Sequence, residues 1–78
     1  MIENDIEKAL IDLNKGILLS PKEKENYLFR GYVYELQGKL EKAISDYRKT
    51  LSMNRKYYDD LMDNLFLRLA ERKLKERD

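Results

Sequence analysis

The chain of 78 residues contains no cysteine and no histidine. Without cysteine it can form no disulfide, no thiolate zinc site and no cysteine nucleophile. Without histidine it lacks the side chain that most often serves as general base or metal ligand near neutral pH, which leaves carboxylates, lysines and tyrosines as the acid–base groups. We therefore expect that the protein is not an enzyme and that it holds no metal ion or other cofactor.

Long apolar runs are also missing. No segment approaches the length of a membrane-spanning helix. The first residues, MIENDIEKALIDL, are charged from the third position and include no apolar stretch before a small-residue cleavage site, so the pattern does not indicate a signal peptide. The expectation is a cytoplasmic protein without membrane contact.

Glycine and proline are scarce, at three and one residues, whereas 40% of the residues are charged. This composition is typical of solvated helices joined by short connections, so we expect an all-α fold in one domain. Sixteen basic and fifteen acidic residues leave a net charge of +1 with both signs interspersed, which disfavours generic nucleic-acid binding. A domain of this size buries a small core, which leaves association with a partner or with itself open.

The apolar spacing and the stop signals predict four antiparallel helices. The first covers about residues 5–19 and ends before Pro21. The second covers 22–37, and Gly38 is placed to end it in a left-handed cap. The third covers 40–54 and pairs with the second as a tight hairpin, because the connection is short. The fourth covers about 57–75.

An internal echo links residues 6–20 to residues 40–54 at an offset of 34. The identical pairs are Glu7/Glu41, Lys8/Lys42, Ala9/Ala43, Asp12/Asp46 and Lys15/Lys49. A fixed period of this size is typical of repeat proteins. Their units bury a core by stacking on neighbours and bind partners with the remaining surface, so the echo favours a binding module over a catalyst.

Residues 24–57 resemble the tetratricopeptide repeat, a helix–turn–helix unit of 34 residues. The positions that match its signature and account for its packing are Tyr27, Gly31, Tyr34, Gly38, Ala43 and Tyr47. Small residues at 31 and 43 allow the two helices to cross closely. Arg30 and Arg55 depart from the usual leucine and proline.

The resemblance extends to both sides of this central copy. Ala9, Leu13 and Pro21 match the later part of a repeat, so residues 1–23 would be the second helix of a partial repeat. Residues 58–78 fit the signature poorly and would form a capping helix. The resemblance thus implies one stack of helical hairpins over residues 1–78, with a single full repeat at 24–57.

The resemblance also implies a small adaptor that binds a protein or peptide, because ligands of this family lie on the concave surface formed by the first helix of each pair. Carried over to this chain, that surface comprises Glu25, Leu28, Tyr32, Glu35, Asp59, Met62, Phe66 and Leu69. Family members that clamp the C-terminal carboxylate of chaperones use Lys, Asn and Arg there, and the central copy has none of these at its positions. We expect an apolar or amphipathic helical partner. The alternative is that the last helix simply packs these side chains on the second.

The mismatches of the echo indicate a second surface. Ile11 and Leu18 stand where the second copy has Ser45 and Ser52, so a face that is polar in one copy is apolar in the other. Exposed apolar stripes commonly mark association surfaces. Our hypothesis is a symmetric homodimer through this stripe, and the alternative is that the N-terminal arm or the C-terminal tail covers it.

Two other functional classes stay open at this point. One is a purely structural dimerisation module whose groove is unused, and the other is an RNA-binding or catalytic helper. The carboxylates of Glu3, Asp5 and Glu7, and of Asp59, Asp60 and Asp63, form local clusters, but no histidine joins them. Acidic residues near a helix start are already favoured by the helix dipole, so we expect a charged helix surface there.

Overall fold

A computed structural model describes residues 3–53 and 57–77, with side chains described for residues 4–53 and 64–76. It contains the helices α1 (Glu3–Leu19), α2 (Lys24–Leu36), α3 (Leu40–Met53) and α4 (Tyr57–Arg77). No β-strand occurs within these ranges, so the predicted all-α fold is confirmed. The turn predicted around residues 54–56 lies outside the described residues.

The connection between α2 and α3 is a tight turn closed at Gly38, whose φ of +76° is left-handed. The amide of Lys39 donates to the carbonyl of Tyr34, and the amide of Gly38 donates to the carbonyl of Glu35, each at 2.9 Å. This pair of bonds is a Schellman motif, which satisfies carbonyls that the helix end would leave free. A Cβ at position 38 would meet no atom within 4 Å, so the backbone conformation alone favours glycine here.

Helix α3 packs against α2 and α4, and α1 packs against α2. The stack is flat, with extents of 36 × 35 × 16 Å. The core cluster contains Ala43, Ile44, Tyr47 and Ala70, with Leu28, Tyr34, Phe66, Leu67 and Leu74 packed against it. Burying one apolar face of each helix against its neighbours is what holds such a stack together.

Helices α2 and α3 approach each other closely at Gly31. A Cβ at this position would lie 2.6 Å from Cε1 of Tyr47 and 3.2 Å from the backbone oxygen of Ala43. Tyr47 and Ala43 are both fully buried. The absence of a side chain at Gly31 therefore creates the space that the Tyr47 ring occupies.

Arg30 joins α1, α2 and α3. Its Nε and Nη2 donate to the two carboxylate oxygens of Asp46 at 2.8 and 2.7 Å, and its Nη1 donates to Oδ1 of Asn14 at 2.9 Å. The hydrogen bond to Asp46 is the main cause of a raised pKa for the Arg30 guanidinium. Asp46 is only 4% exposed, so the paired charge satisfies a carboxylate that burial would otherwise penalise.

Candidate functional site

Helices α2 and α4 lie side by side and form the two walls of a groove. Leu28 and Tyr32 of α2 lie near Phe66 of α4, and further along both helices Glu35 pairs with Lys73. Because the contacts follow the same order in both helices, α2 and α4 run parallel. The seven residues between the two contacts correspond to roughly 10 Å of helix.

An apolar cleft opens between these walls, with a volume of ≈ 220 Å³. Its lining residues are Leu28, Phe29, Tyr32 and Phe66. Phe29 and Tyr32 leave 55% and 52% of their surface exposed. Concave apolar surface with exposed aromatic side chains is typical of a binding site.

Tyr47 forms the support beneath the groove. Its ring lies 5.9 Å from the ring of Phe66, centroid to centroid, and its hydroxyl donates to Oε1 of Glu35 at 2.7 Å. Burial raises the pKa of the Tyr47 phenol well above its ordinary value, and the bond to Glu35 adds to this shift, so the hydroxyl keeps its proton. The second carboxylate oxygen of Glu35 accepts a hydrogen bond from the Lys73 ammonium.

Three residues predicted for the concave face meet at the cleft, namely Leu28, Tyr32 and Phe66. Phe29 joins them, although the sequence prediction did not include it. Its position three residues before Tyr32 places it one helical turn away on the same side of α2, which is the signal that could have identified it. Glu35, also predicted for this face, uses both carboxylate oxygens within the chain.

The other predicted residues of this face do not line the cleft. Glu25 is exposed in the first turn of α2. Leu69 is 43% exposed and lies almost one turn beyond Phe66 on α4. Met62 and Asp59 lie outside the residues whose side chains the structure describes.

The stripe on α1 is open. Ile11 is 55% exposed and Leu18 is 81% exposed, so no part of residues 3–53 and 57–77 covers them fully. Their counterparts on α3, Ser45 and Ser52, are exposed as well. The stripe therefore lies on a helix face that points outward in both copies.

The aromatic residues of the repeat surround the Arg30 guanidinium. The guanidinium carbon lies 5.6 Å from the ring centroid of Tyr27 and 5.7 Å from that of Tyr34. Lys49 and Lys42 approach the same two rings at 5.8 and 5.6 Å. Cation–π contacts thus occupy these tyrosines, which leaves Tyr32 as the exposed tyrosine of the described part of α2.

Two absences hold for the described residues. They contain no group of three or more acidic side chains placed to hold a metal ion. None of their helices combines the length and the apolar character needed to cross a bilayer.

The stacked hairpins and the groove between α2 and α4 are features of the helical-repeat class of interaction modules. The family model of the tetratricopeptide repeat matches residues 25–57, so this segment is a tetratricopeptide repeat, as the sequence pattern predicts. Such repeats are typically non-catalytic modules for protein–protein interaction. No curated protein and no solved structure matches the chain significantly.

Proposed function

We propose that the protein is an adaptor that binds a protein partner by holding one apolar or amphipathic helical segment in the groove between α2 and α4. The observation that carries this proposal is the apolar cleft at Leu28, Phe29, Tyr32 and Phe66, where two large aromatic side chains are half exposed. Burying such side chains against a partner releases water from apolar surface, which drives association.

The dimensions of the cleft support a peptide over a small molecule. Its ≈ 220 Å³ lies below the range of roughly 300–1,000 Å³ typical of small-molecule sites. It suits one large apolar side chain, inserted from a segment that follows the groove. A groove of roughly 10 Å corresponds to about two turns of a bound helix, so anchors would come from positions i, i+3 and i+4 of the partner.

The charges beside the cleft also favour an apolar anchor. The ammonium of Lys73 lies at the far end of the groove and is paired with Glu35, which also accepts the Tyr47 hydroxyl. A partner's carboxylate would have to compete with Glu35 for this cation. Recognition of a chain terminus is therefore less favourable here than insertion of an uncharged side chain.

The test uses the double variant Phe29→Ala, Tyr32→Ala, and the matched control is Ile11→Ser, Leu18→Ser, which removes two exposed apolar side chains from α1. Phe66 stays unchanged because it packs on Tyr47 in the core. The probes are labelled amphipathic peptides with leucine and phenylalanine at i, i+3, i+4 and i+7, each accompanied by a scrambled peptide of identical composition.

Fluorescence anisotropy should show binding of at least one patterned peptide to the wild type and to the α1 control. Binding to the groove variant should weaken by roughly thirty-fold, which corresponds to hot-spot losses of about 2 kcal/mol. The proposal fails if scrambled peptides bind equally well, or if the groove variant binds as tightly as the wild type.

A second candidate function is homodimerisation through Ile11 and Leu18, favoured by the 55% and 81% exposure of these two side chains. Packing them against the same stripe of another copy would bury apolar surface around a two-fold axis. Sedimentation equilibrium should then show a dimer for the wild type and for Phe29→Ala, Tyr32→Ala, and a folded monomer for Ile11→Ser, Leu18→Ser. A wild type that stays monomeric at micromolar concentration would eliminate this candidate.

A further inference from the structure

The apolar stripe of α1 lies beside a contact with α2. Asn14 follows Ile11 by three residues and precedes Leu18 by four, so these three side chains share one side of α1. Oδ1 of Asn14 accepts a hydrogen bond from Nη1 of Arg30 at 2.9 Å. The flank of the stripe that carries Asn14 is therefore the flank that faces α2.

A pair of exposed lysines has the corresponding position on α3. Asp46 follows Lys42 by four residues and precedes Lys49 by three, so these three side chains share one side of α3. The carboxylate of Asp46 accepts hydrogen bonds from Nε and Nη2 of Arg30 at 2.8 and 2.7 Å. One guanidinium thus connects the apolar stripe on α1 to a cationic pair on α3.

Helices α1 and α3 run in the same direction, because each is antiparallel to α2. The tight turn at Gly38 reverses the chain between α2 and α3. On α1, Asn14 meets Arg30. Two residues later on α1, Gly16 approaches Asn26, which precedes Arg30 by four residues on α2.

The stripe and the lysines therefore form two pairs across this side of the molecule. Ile11 lies opposite Lys42 on one side of the Arg30 bridge. Leu18 lies opposite Lys49 on the other side. Within each pair, the distances from the bridging residue differ by one position, or about 1.5 Å along the helix. Each pair combines one apolar and one cationic side chain, and the pairs repeat after seven residues, or roughly 10 Å.

We propose that this surface, which we call the Arg30 face and define by Ile11, Leu18, Arg30, Lys42 and Lys49, docks an acidic amphipathic helix of a partner protein. Charge complementarity selects an acidic partner, because carboxylates seven residues apart would each meet one ammonium group. The repeat after seven residues selects a helix, since two helical turns return apolar and acidic side chains to the same side. The Arg30 face is separate from the groove between α2 and α4.

The two lysines are held in place and are open to a carboxylate. Their ammonium groups lie 5.6 Å from the ring centroid of Tyr34, for Lys42, and 5.8 Å from that of Tyr27, for Lys49. Among the residues whose side chains the structure describes, no carboxylate forms an ion pair with either lysine. The ring contacts restrict the ammonium groups, which lowers the entropy cost of ordering them against a partner.

The chain offers a matched control for the lysines. Lys8 and Lys15 are the counterparts of Lys42 and Lys49 in the echo, with the same spacing, and all four are exposed. Lys8 and Lys15 precede the two stripe residues by three positions each, which places them on the flank opposite Asn14. They flank the same stripe but do not face α3.

The probe is a labelled peptide with leucine at i, i+7 and i+14, glutamate at i+4 and i+11, and alanine and glutamine elsewhere. A second peptide carries glutamine in place of both glutamates. Fluorescence anisotropy at low ionic strength compares the wild type with Lys42→Gln, Lys49→Gln and with the control Lys8→Gln, Lys15→Gln. Circular dichroism verifies that each variant is folded.

The wild type should bind the acidic peptide more tightly than the glutamine peptide. Lys42→Gln, Lys49→Gln should weaken binding of the acidic peptide roughly five- to tenfold, as expected for two exposed ion pairs, whereas the control should bind like the wild type. Equal binding of the two peptides would overturn the proposal. Equal losses in the two lysine variants would also overturn it, because they would indicate a general effect of charge.

The apolar side of the contact and its separation from the groove are tested with the same probe. Ile11→Ser, Leu18→Ser should weaken binding of the acidic peptide by roughly tenfold. The groove variant Phe29→Ala, Tyr32→Ala should bind it like the wild type, so failure of the Arg30 face is distinguishable from failure of the groove. Loss of acidic-peptide binding in the groove variant alone would overturn the proposal.

Two other occupants of the Arg30 face give different results. A second copy packed on the stripe would form a dimer in sedimentation experiments, and the proposal is overturned if saturating acidic peptide does not dissociate such a dimer. An anionic membrane would attract the lysines on both flanks of the stripe. Binding to vesicles of phosphatidylcholine and phosphatidylserine that the acidic peptide does not displace would assign the face to lipid and overturn the proposal.

Discussion

Replacing Arg30 with leucine should destabilise the protein, although leucine is the usual residue at this position of the repeat. The side chain of Asp46 is 6% exposed and takes two hydrogen bonds from Arg30. Removing the guanidinium leaves a buried carboxylate without its countercharge, which costs about 3–5 kcal/mol in fully buried pairs. Arg30 itself is 21% exposed, so water reaches the vacated site and a loss of about 2–3 kcal/mol is the better expectation.

Thermal unfolding followed by circular dichroism measures this loss. In domains of this size each kcal/mol lowers Tm by about 4–8 °C, so a fall of roughly 10–20 °C is expected for Arg30→Leu. The matched control is Arg48→Leu, which removes an arginine from the ion pair with Glu71, where the two side chains are 65% and 41% exposed. Exposed ion pairs contribute little to the free energy of unfolding, so this control variant should lose less than about 1 kcal/mol of stability.

The double variant Arg30→Leu, Asp46→Leu separates charge from packing. With both partners apolar, no buried charge remains, and stability should return to within about 1 kcal/mol of the wild type. An Arg30→Leu protein as stable as the wild type would refute the role of the ion pair. A double variant as unstable as the single one would show that Arg30 acts through its contacts with Tyr27 and Tyr34 instead.

Two further predictions concern the support beneath the groove. Gly31→Ala should lower the free energy of unfolding, measured in urea, by about 1–3 kcal/mol, because the new Cβ meets the Tyr47 ring and the backbone of Ala43. This steric cost outweighs the gain of about 1 kcal/mol in helix propensity that alanine brings. Gly16→Ala is the control, since the three atoms nearest to its Cβ all belong to the flexible side chain of Asn26, and equal losses in both variants would contradict the reasoning. Because the pKa of Tyr47 is raised in the folded state, only the unfolded state releases the phenol proton once the pH exceeds about 10. The wild type should therefore lose about 1.4 kcal/mol of stability per pH unit above that pH. Tyr47→Phe should remove that part of the slope in urea unfolding series at alkaline pH, and identical slopes would contradict the shift.

The helices and their hairpin could be predicted from the sequence because their signals are local. The apolar spacing and Gly38 act within a few residues, and the boundaries differ from the predicted ones by at most two residues. The Arg30 network could not be predicted in the same way. Its partners Asn14 and Asp46 lie sixteen residues before and after it, and the repeat pattern shows Arg30 only as a departure from leucine.

The groove was predicted in part. Leu28, Tyr32 and Phe66 follow from the rule that the first helices of successive hairpins share the concave surface. The role of Glu35 did not follow, because its partner Lys73 lies 38 residues away in a helix whose register the signature fits poorly. From the sequence alone, an acidic residue on an exposed helix is predicted to be free to bind a ligand, because the residue that pairs with it on a neighbouring helix is not known.

Tyr47 connects the core to the groove, although it belongs to neither wall. Its ring contacts Phe66 of α4 and lies over Gly31 of α2. Its hydroxyl donates a hydrogen bond to Glu35, which also accepts one from Lys73. The separation of the two walls therefore depends on the size of one buried side chain in α3. Because the core is close-packed, a change in that side chain would be transmitted to both walls. The shape of the proposed binding site is thus set by a residue that the partner would not touch.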